Sequence, residues 1–484
     1  MLSLPGGAFV LRDADTVRRQ VALRISGAAC RGGSSFNTEG SLKKILSAAL
    51  GLCTTTVVLA ATALPVMFSS QALGAVGASG KALTDVQIET MTPVAQAALL
   101  DPLRAVAGAL SDVGRGSGAR VFTSVGIDAN HDVVNLYLTD TRRATGFVQA
   151  AKSMESSIDT KQIRIHKATY TLAALDVARE AYLAKPHPYA VYAVSPAPDG
   201  SGLQIEVDNT ATAIKADGNN VAIKPISTAK THVVSAASTV PTVTRSFTKG
   251  FARHVNSAVW NNVKWHDSPP FIGGDVITDG TGHCTAGLPA VRKSDGYPVM
   301  VTAAHCFAVG QRIYTAAGTT WSWSNGLLGN YVGTVTSRNT GWDAELLVGA
   351  DNNADESDVD GWIPMTSVQY SYLGDWVCHS GARSASRGHS TPCGIKVTNQ
   401  DLWFPIAGYH ARGVEGVDVV NGWGSVNGDS GGTVWAATGN ANARQARGII
   451  SDGGLDGTPD QKRVDWTEAI DIFNAYGLKL NPVK

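Results

Sequence analysis

Gly428-Asp429-Ser430-Gly431-Gly432 is the stretch on which the reading of this chain turns. A serine hydroxyl is a poor nucleophile: it needs a base beside it and hydrogen-bond donors for the oxyanion that its attack creates. Glycines on both sides of Ser430 permit a tight backbone turn that aims the amides of Gly428 and Ser430 at one point. The same five residues would also make a glycine-rich β-turn with a capping serine, so the motif is weighed by its company. Around it, from Phe271 onward, short strand-like runs are punctuated by glycine, and helical periodicity returns at Trp466–Tyr476. Many short strands with glycine turns mean a β sandwich or barrel.

The first companion is Val301-Thr302-Ala303-Ala304-His305-Cys306, an apolar strand ending in a histidine flanked by small residues and tied by a cysteine. Imidazole suits general-base work because its ordinary pKa, about 6.5, lies near working pH. The chain has 11 histidines, and a single one is usually a core or surface residue. The order His then Ser removes most of that ambiguity. The third member should be a carboxylate between them that orients the imidazole. Gly341-Trp342-Asp343-Ala344-Glu345-Leu346-Leu347 puts an acid at the head of an apolar strand, whereas Asp351, Asp355, Asp358 and Asp360 crowd a polar loop. Asp343 is the expected acid.

With these boxes in place, residues 272–484 resemble the chymotrypsin-like serine peptidases, and more narrowly the bacterial secreted branch typified by streptogrisins and α-lytic protease. The likeness includes Ile272-Gly273-Gly274-Asp275 as a mature-type start, Cys284 ahead of the histidine box, and Gly333-Thr334-Val335 before the Asp343 strand. It also includes Val377-Cys378-His379-Ser380-Gly381, Cys393-Gly394 and the closing Ala475-Tyr476-Gly477-Leu478. The resemblance implies an all-β catalytic domain of two six-stranded antiparallel β-barrels with the site in the cleft between them. It implies a serine endopeptidase that passes through an acyl-enzyme, with His305, Asp343 and Ser430 as the triad and Gly428 and Ser430 amides as the oxyanion hole. No cofactor is expected.

By the same likeness Cys284 pairs with Cys306 and Cys378 with Cys393, each bridge contributing about 3 kcal/mol under the chain-entropy model. Ser451, in Ile449-Ile450-Ser451, becomes the residue that supports the triad acid. Gly424, six before Ser430, becomes the base of the specificity pocket, and a small residue there favours apolar or medium-sized side chains before the cut. Asp452 and Asp456 argue the other way, since either would reach a basic side chain. Val426 stands where relatives carry a cysteine bridged across that pocket. Asp429 pairs with the new N-terminus in animal relatives, a pairing generally absent from the bacterial branch.

Two other classes compete. A catalytically dead homologue that only binds proteins would usually have lost a triad member, and all three are kept here. A serine esterase of another fold would carry a G-x-S-x-G elbow, which is missing around Ser430. The acidic stretch Asp351–Asp360 offers carboxylates to calcium, but Glu356 sits where an EF-hand has its glycine, so no metal is expected. His283, beside Cys284, is read as a loop residue next to a disulfide.

The 484 residues exceed one ordinary domain, and 44% hydrophobic with 17% charged residues describes a globular chain rather than a disordered or fibrous one. The net charge of zero hides an asymmetry: from Ile272 onward 14 Lys/Arg face 21 Asp/Glu. That acidic half has no electrostatic footprint for nucleic acid. Lys43 and Lys44 precede an apolar run from Ile45 to Phe68 and small residues through Ala72, Gly74 and Ala75, the pattern of a secretory signal. The run is long enough for a membrane anchor, but Pro65 and the small residues after it favour cleavage and an extracellular product. Residues 1–41 lie upstream of an ordinary signal, as an extended leader or a start codon placed too early. Of six cysteines, Cys30 and Cys53 fall in the leader, and an exported chain with four left implies disulfides.

Between leader and peptidase, helical character over 82–115 precedes a hairpin from Val121 to Leu138 that turns at Asp128–Asp132. Helical patterns near 143–157 and 170–185 flank Gln162–His166, and a second hairpin spans Ala190–Val207 with its turn at Pro198-Asp199-Gly200. This order reads as a small α+β domain, and its size and position resemble the pro-regions of α-lytic-type peptidases. Residues 226–250, rich in Ser, Thr, Ala and Val, read as a linker whose valines are able to form an edge strand. The expected organisation is a leader and signal at 1–75, an α+β pro-domain at 76–225, a linker at 226–271 and the peptidase at 272–484. Its expected partners are a protein or peptide substrate and its own pro-domain, for a monomer without stable membrane association.

Overall fold

The structure, a computed structural model, describes residues 82–207, 229–232, 241–246, 264 and 267–482, apart from 318–327, 350, 359–360, 390, 455–456 and 459. The leader, with Cys30 and Cys53, and Asp456 lie outside the described residues. No helix among the described residues is long and apolar enough to cross a membrane.

Thr84 and Thr92 start the first two helices by the same device, each side-chain oxygen accepting an amide of the first turn, from Gln87 and Ala95. The helices are α1 (Asp85–Glu89) and α2 (Pro93–Arg115), followed by the hairpin β1 (Phe122–Asp128) and β2 (Val133–Leu138). Then come α3 (Ala144–Met154), β3 (Ile163–Lys167), α4 (Leu172–Leu183) and the hairpin β4 (Val191–Pro196) and β5 (Leu203–Val207). β3 lies parallel to β2 in a three-stranded sheet, on which α2 buries Leu99, Leu103, Val106 and Leu110. Part of the expected linker is strand: β6 (Ala229–His232) pairs with β7 (Pro241–Ser246), which runs parallel to β5.

Among its described residues the C-terminal half is β apart from two short α-helices and a 3-10 turn at Thr340–Trp342. Its first strands are β8 (Phe271–Gly273), β9 (Val276–Thr278), β10 (His283–Thr285), β11 (Leu288–Arg292) and β12 (Pro298–Ala303). There follow β13 (Arg312–Ala316), β14 (Leu328–Asn339), β15 (Ala344–Gly349), β16 (Asn352–Asp358), β17 (Gly361–Val368) and β18 (Trp376–His379). After α5 (Ala382–Ser386) come β19 (Ile395–Ile406), β20 (Tyr409–Asp418), β21 (Thr433–Ala437), β22 (Arg444–Gly453) and β23 (Arg463–Glu468), then α6 (Ala469–Tyr476) and β24 (Leu478–Leu480). Two β bodies result, in keeping with the all-β expectation for this half. The first is an antiparallel ladder in the order β10-β9-β13-β14-β15-β12-β11-β24, eight strands rather than six. The second is built from β16 to β23 and is not purely antiparallel, since β17 runs parallel to β22 and β16 parallel to β8.

Two local expectations change. The acidic stretch after Asp351 is strand β16, paired with β17, rather than a loop. Trp466 belongs to β23, fully buried between ladders to β20 and β22, and the helix starts three residues later. Tertiary pairing overrides the helical spacing there.

The N-terminal segment is built onto the second body. Val194 of β4 pairs with Trp403 of β19, so the β4–β5 hairpin continues that sheet. Ile127 N donates to Leu373 O at 2.6 Å, and Gly374, at φ +76, has no room for a Cβ, which would lie 1.9 Å from Ile127 O. Tyr372 and Trp376 join the apolar cluster of α2. From α2, Arg104 enters the second body fully buried and donates to Asp375 Oδ1 at 2.9 Å, Ala437 O at 2.9 Å and Trp376 O at 3.1 Å. Arg447 meets the same Asp375 at 3.0 Å.

Candidate active site

β12 runs as a buried apolar strand and delivers His305 just past its end, where Ala303 and Ala304 are fully buried and leave no bulk around the ring. The Cys284–Cys306 bridge ties the next residue to β10, and the Cys378–Cys393 bridge closes the loop that holds α5. Asp343 ends a 3-10 turn capped by Asn339 and takes the left-handed conformation, φ 39 and ψ 47, which aspartate tolerates better than most residues. That geometry turns a fully buried carboxylate towards His305. Oδ2 lies 2.8 Å from His305 Nδ1, and Oδ1 accepts the His305 amide at 2.9 Å. One carboxylate thus grips the histidine by ring and backbone.

Burial pulls the His305 pKa down, but the charge and hydrogen bond of Asp343, with Asp452 further off, outweigh it, and the net shift is upward from 6.5. Glu345, two residues beyond Asp343, is also buried, and desolvation pushes its carboxyl up to about 9.

Ser430 sits in a turn made possible by Gly428 at φ +105 and Gly431 at φ +87. A Cβ on Gly431 would lie 2.1 Å from Thr302 Oγ1, so the turn is pressed directly against the histidine strand. Thr285 joins the two bodies here: its amide donates to Ser430 O at 2.8 Å and its hydroxyl to Gly428 O at 2.9 Å. Among the described residues the amides of Gly428 and Ser430 donate to no acceptor, and no hydrogen bond joins Ser430 Oγ to His305. Catalytic hydrogen bonds are often long before substrate binds.

Asp429 is buried with its carboxylate fully engaged within the chain. Ser384 N donates to Oδ1 at 2.7 Å, Val426 N to Oδ2 at 2.9 Å, and the Ser384 hydroxyl also donates to Oδ2. Val426, in the place of the missing cysteine, thus uses its amide to brace the turn. His379 lies nearby, donating from Nε2 to Gly424 O at 2.5 Å and accepting the Gly381 amide at 3.0 Å, the pattern of a neutral ring.

Three expected site residues behave differently from the expectation. Ser451 is buried at a register irregularity of β22, and its Oγ has no hydrogen-bond partner among the described residues. Tyr409 instead donates its hydroxyl to Asp343 Oδ1 at 2.5 Å. Gly424 presents no open floor, because a Cβ there would lie 2.5 Å from the backbone of Lys462 and Arg463. Asp452 has a buried cationic neighbour, Arg463: desolvation works against that guanidinium, but Asp465 and Asp452 first among its neighbours hold it charged. Nothing in the sequence flagged Tyr409, which lies 66 residues from Asp343 along the chain, nor Arg463, whose direct ion pairs are with its near neighbours Asp465 and Asp460. Cys284, His305 and Cys306 group closely enough to suggest a metal, but both sulfurs are committed to a disulfide.

No family model matches this chain, and no curated protein does. Among solved structures it is similar to the Nocardiopsis protease NAPase, with 22% identity over 43% of this chain and 98% of that one, at a TM-score of 0.32. It is also similar to a glutamic acid-specific serine protease described as using a histidine triad in substrate binding, with 21% identity, 43% and 99% coverage and a TM-score of 0.34. Thermobifida fusca protease A shares 19% identity over 44% of this chain and 99% of its own length, at a TM-score of 0.33.

Proposed function

We propose that this chain is an exported serine endopeptidase, made with a signal and a pro-segment, that hydrolyses peptide bonds in protein substrates. The observation that carries the reading is the grip of buried Asp343 on both the ring and the amide of His305. Across from it stands the Ser430 turn, with two spare amides. In the reaction His305 Nε2 takes the proton of Ser430 Oγ as the oxygen attacks the peptide carbonyl carbon. Asp343 balances the imidazolium, and the Gly428 and Ser430 amides donate to the oxyanion. Collapse of that intermediate sends the His305 proton to the departing amine, and the same base then activates water to release the acid from Ser430.

Apolar or medium-sized residues before the cut fit best, since Gly424 brings no charge to the pocket and the buried Arg463 guanidinium adds a positive charge near Asp452. Residues 76–271 act as a folding template and then as an inhibitor, a reading supported by the shared sheet at Val194 and Trp403 and by buried Arg104.

The test is acylation by a fluorophosphonate followed by a peptide-cleavage panel. Ser430→Ala abolishes labelling, while His305→Ala and Asp343→Asn each cost on the order of 10⁴ in turnover and combine far from additively. Near-parent activity in Asp343→Asn would sink the choice of acid, and a strong Lys or Arg preference would reverse the specificity.

A further inference from the structure

Tyr409 opens β20 directly after a two-residue turn, Ala407-Gly408, whose φ values of 47 and 85 belong to the tight hairpin class. Ile406 pairs with Tyr409 across that turn, so the position of the ring is set by the hairpin rather than by a loose loop. The ring also packs against a cluster of Leu402, Phe404 and Ala411 that includes Ala193 from the N-terminal segment. Its hydroxyl ends 2.5 Å from Asp343 Oδ1, the same oxygen that holds the His305 amide. Ser451, the residue the resemblance assigns to this support, is buried with its hydroxyl unbonded among the described residues.

We propose that Tyr409 is the residue that positions the triad acid in this protein, holding Asp343 in the rotamer that grips His305 and taking the place assigned to Ser451. The proposal rests on the peptidase reading above. Three facts converge on it. The carboxylate is fully buried, and the phenol is the second donor to Oδ1 beside the His305 amide, so each oxygen is fixed in direction where water does not reach. The phenol is a donor throughout the working range, because burial, and then the charge and hydrogen bond of Asp343, hold its pKa well above the usual tyrosine value. Its distance is that of a charge-assisted O–H···O⁻ bond.

The charged and titratable groups that face this cluster are Asp343, Asp452 and Arg338 around His305, Glu345 near Asp343 and Arg338, and Asp343 and Arg338 around Tyr409. Removing the phenol hydroxyl removes the positive end of a dipole from beside Asp343. The potential at the imidazole becomes more negative, and the His305 pKa rises.

The experiment compares the parent full chain with Tyr409→Phe and Ser451→Ala. It measures fluorophosphonate acylation against pH, and the pH titration of the low-field His305 Nδ1 proton by NMR. Tyr409→Phe should move the acid limb and the NMR midpoint upward by about half a pH unit or more, with acylation near pH 6 falling about 3-fold or more. Ser451→Ala should leave both within error. Replacing Tyr409 by 3-fluorotyrosine, a stronger donor with the same ring, should move the midpoint downward, and this decides the matter if the phenylalanine variant does not fold. Unmoved midpoints in the Tyr409 variants, or an upward shift in Ser451→Ala instead, overturn the proposal. Failure of the parent to acylate at any pH once its pro-segment has been cleaved would overturn the peptidase reading, while the NMR titration still reports on Tyr409.

Discussion

In the N-terminal segment β1 meets β2 across the short turn between Asp128 and Val133, and β4 meets β5 across a turn centred on Gly200. In the C-terminal half β11 meets β24, with Ala290 opposite Leu480, and β17 meets β22, with Met365 opposite Arg444. The first region can form most of its pairings soon after the strands themselves form. The second must close long loops before its contacts repay the entropy, which makes unaided folding slow. Their junction carries the same lesson. A hairpin assembled locally offers an edge, β4, to a hairpin of the slow region, β19–β20, and α2 drives Arg104 in against the ends of β18 and β21. On the proposed reading the quick region seeds the slow one.

The largest expected effect breaks the two apart. Residues 272–484 refolded alone should give activity lower by roughly 100-fold or more, and residues 76–271 added in trans should restore it and then inhibit at excess. Equal refolding rates with and without the partner would end the template reading.

Next in size is the buried plug. Arg104→Ala leaves Asp375 with Arg447 as its remaining cation and strips the Trp376 and Ala437 carbonyls, so denaturation of the full chain should show a loss of about 3–5 kcal/mol. A loss below about 1 kcal/mol would mean that the two regions are held mainly by apolar packing.

A smaller effect separates the regions by pH. His283 in β10 is buried, and desolvation pulls its pKa down to about 4. Below pH 6.5 the unfolded chain takes up a proton that the folded chain refuses. Stability should therefore fall as pH drops from 6.5 to 4, by up to about 3 kcal/mol in all. Urea melts of His283→Gln that kept the same acid slope would assign it elsewhere.

The smallest effect is on the exposed side of the junction. Arg115 reaches Asp401 at 3.0 Å, but its side chain is 46% exposed, so Arg115→Ala should cost less than about 1 kcal/mol in the same melts. A cost matching that of Arg104→Ala would erase the distinction between plug and rim.

Much of the fold was legible along the chain because it depends on near neighbours. Both N-terminal hairpins lie where alternation and turn residues put them, and the β class of the C-terminal half follows from short runs broken by glycine. The bridges Cys284–Cys306 and Cys378–Cys393 came from the family likeness, and both are present. The misreadings share one cause. Trp466 has helical spacing but lies in β23, and the acidic stretch after Asp351 has loop composition but lies in β16, because ladders to β20 and to β8, distant in sequence, decide both.

The candidate site divides along the same line. His305, Asp343 and Ser430 stand out from local pattern, since each lies in a short box with a recognisable chemical reason for its neighbours. The sequence by itself determined the β architecture of the C-terminal half, the turn at Ser430 that requires Gly431, and the candidates for nucleophile, base and acid. Only the tertiary structure decided that Tyr409 rather than Ser451 donates to Asp343, and that Arg104 plugs into the second body. The physical reason is that a side-chain hydrogen bond or ion pair depends on where two distant backbones come to rest. A buried carboxylate takes whichever donor the packing brings within reach, and the spacing of residues along a chain carries no record of that choice.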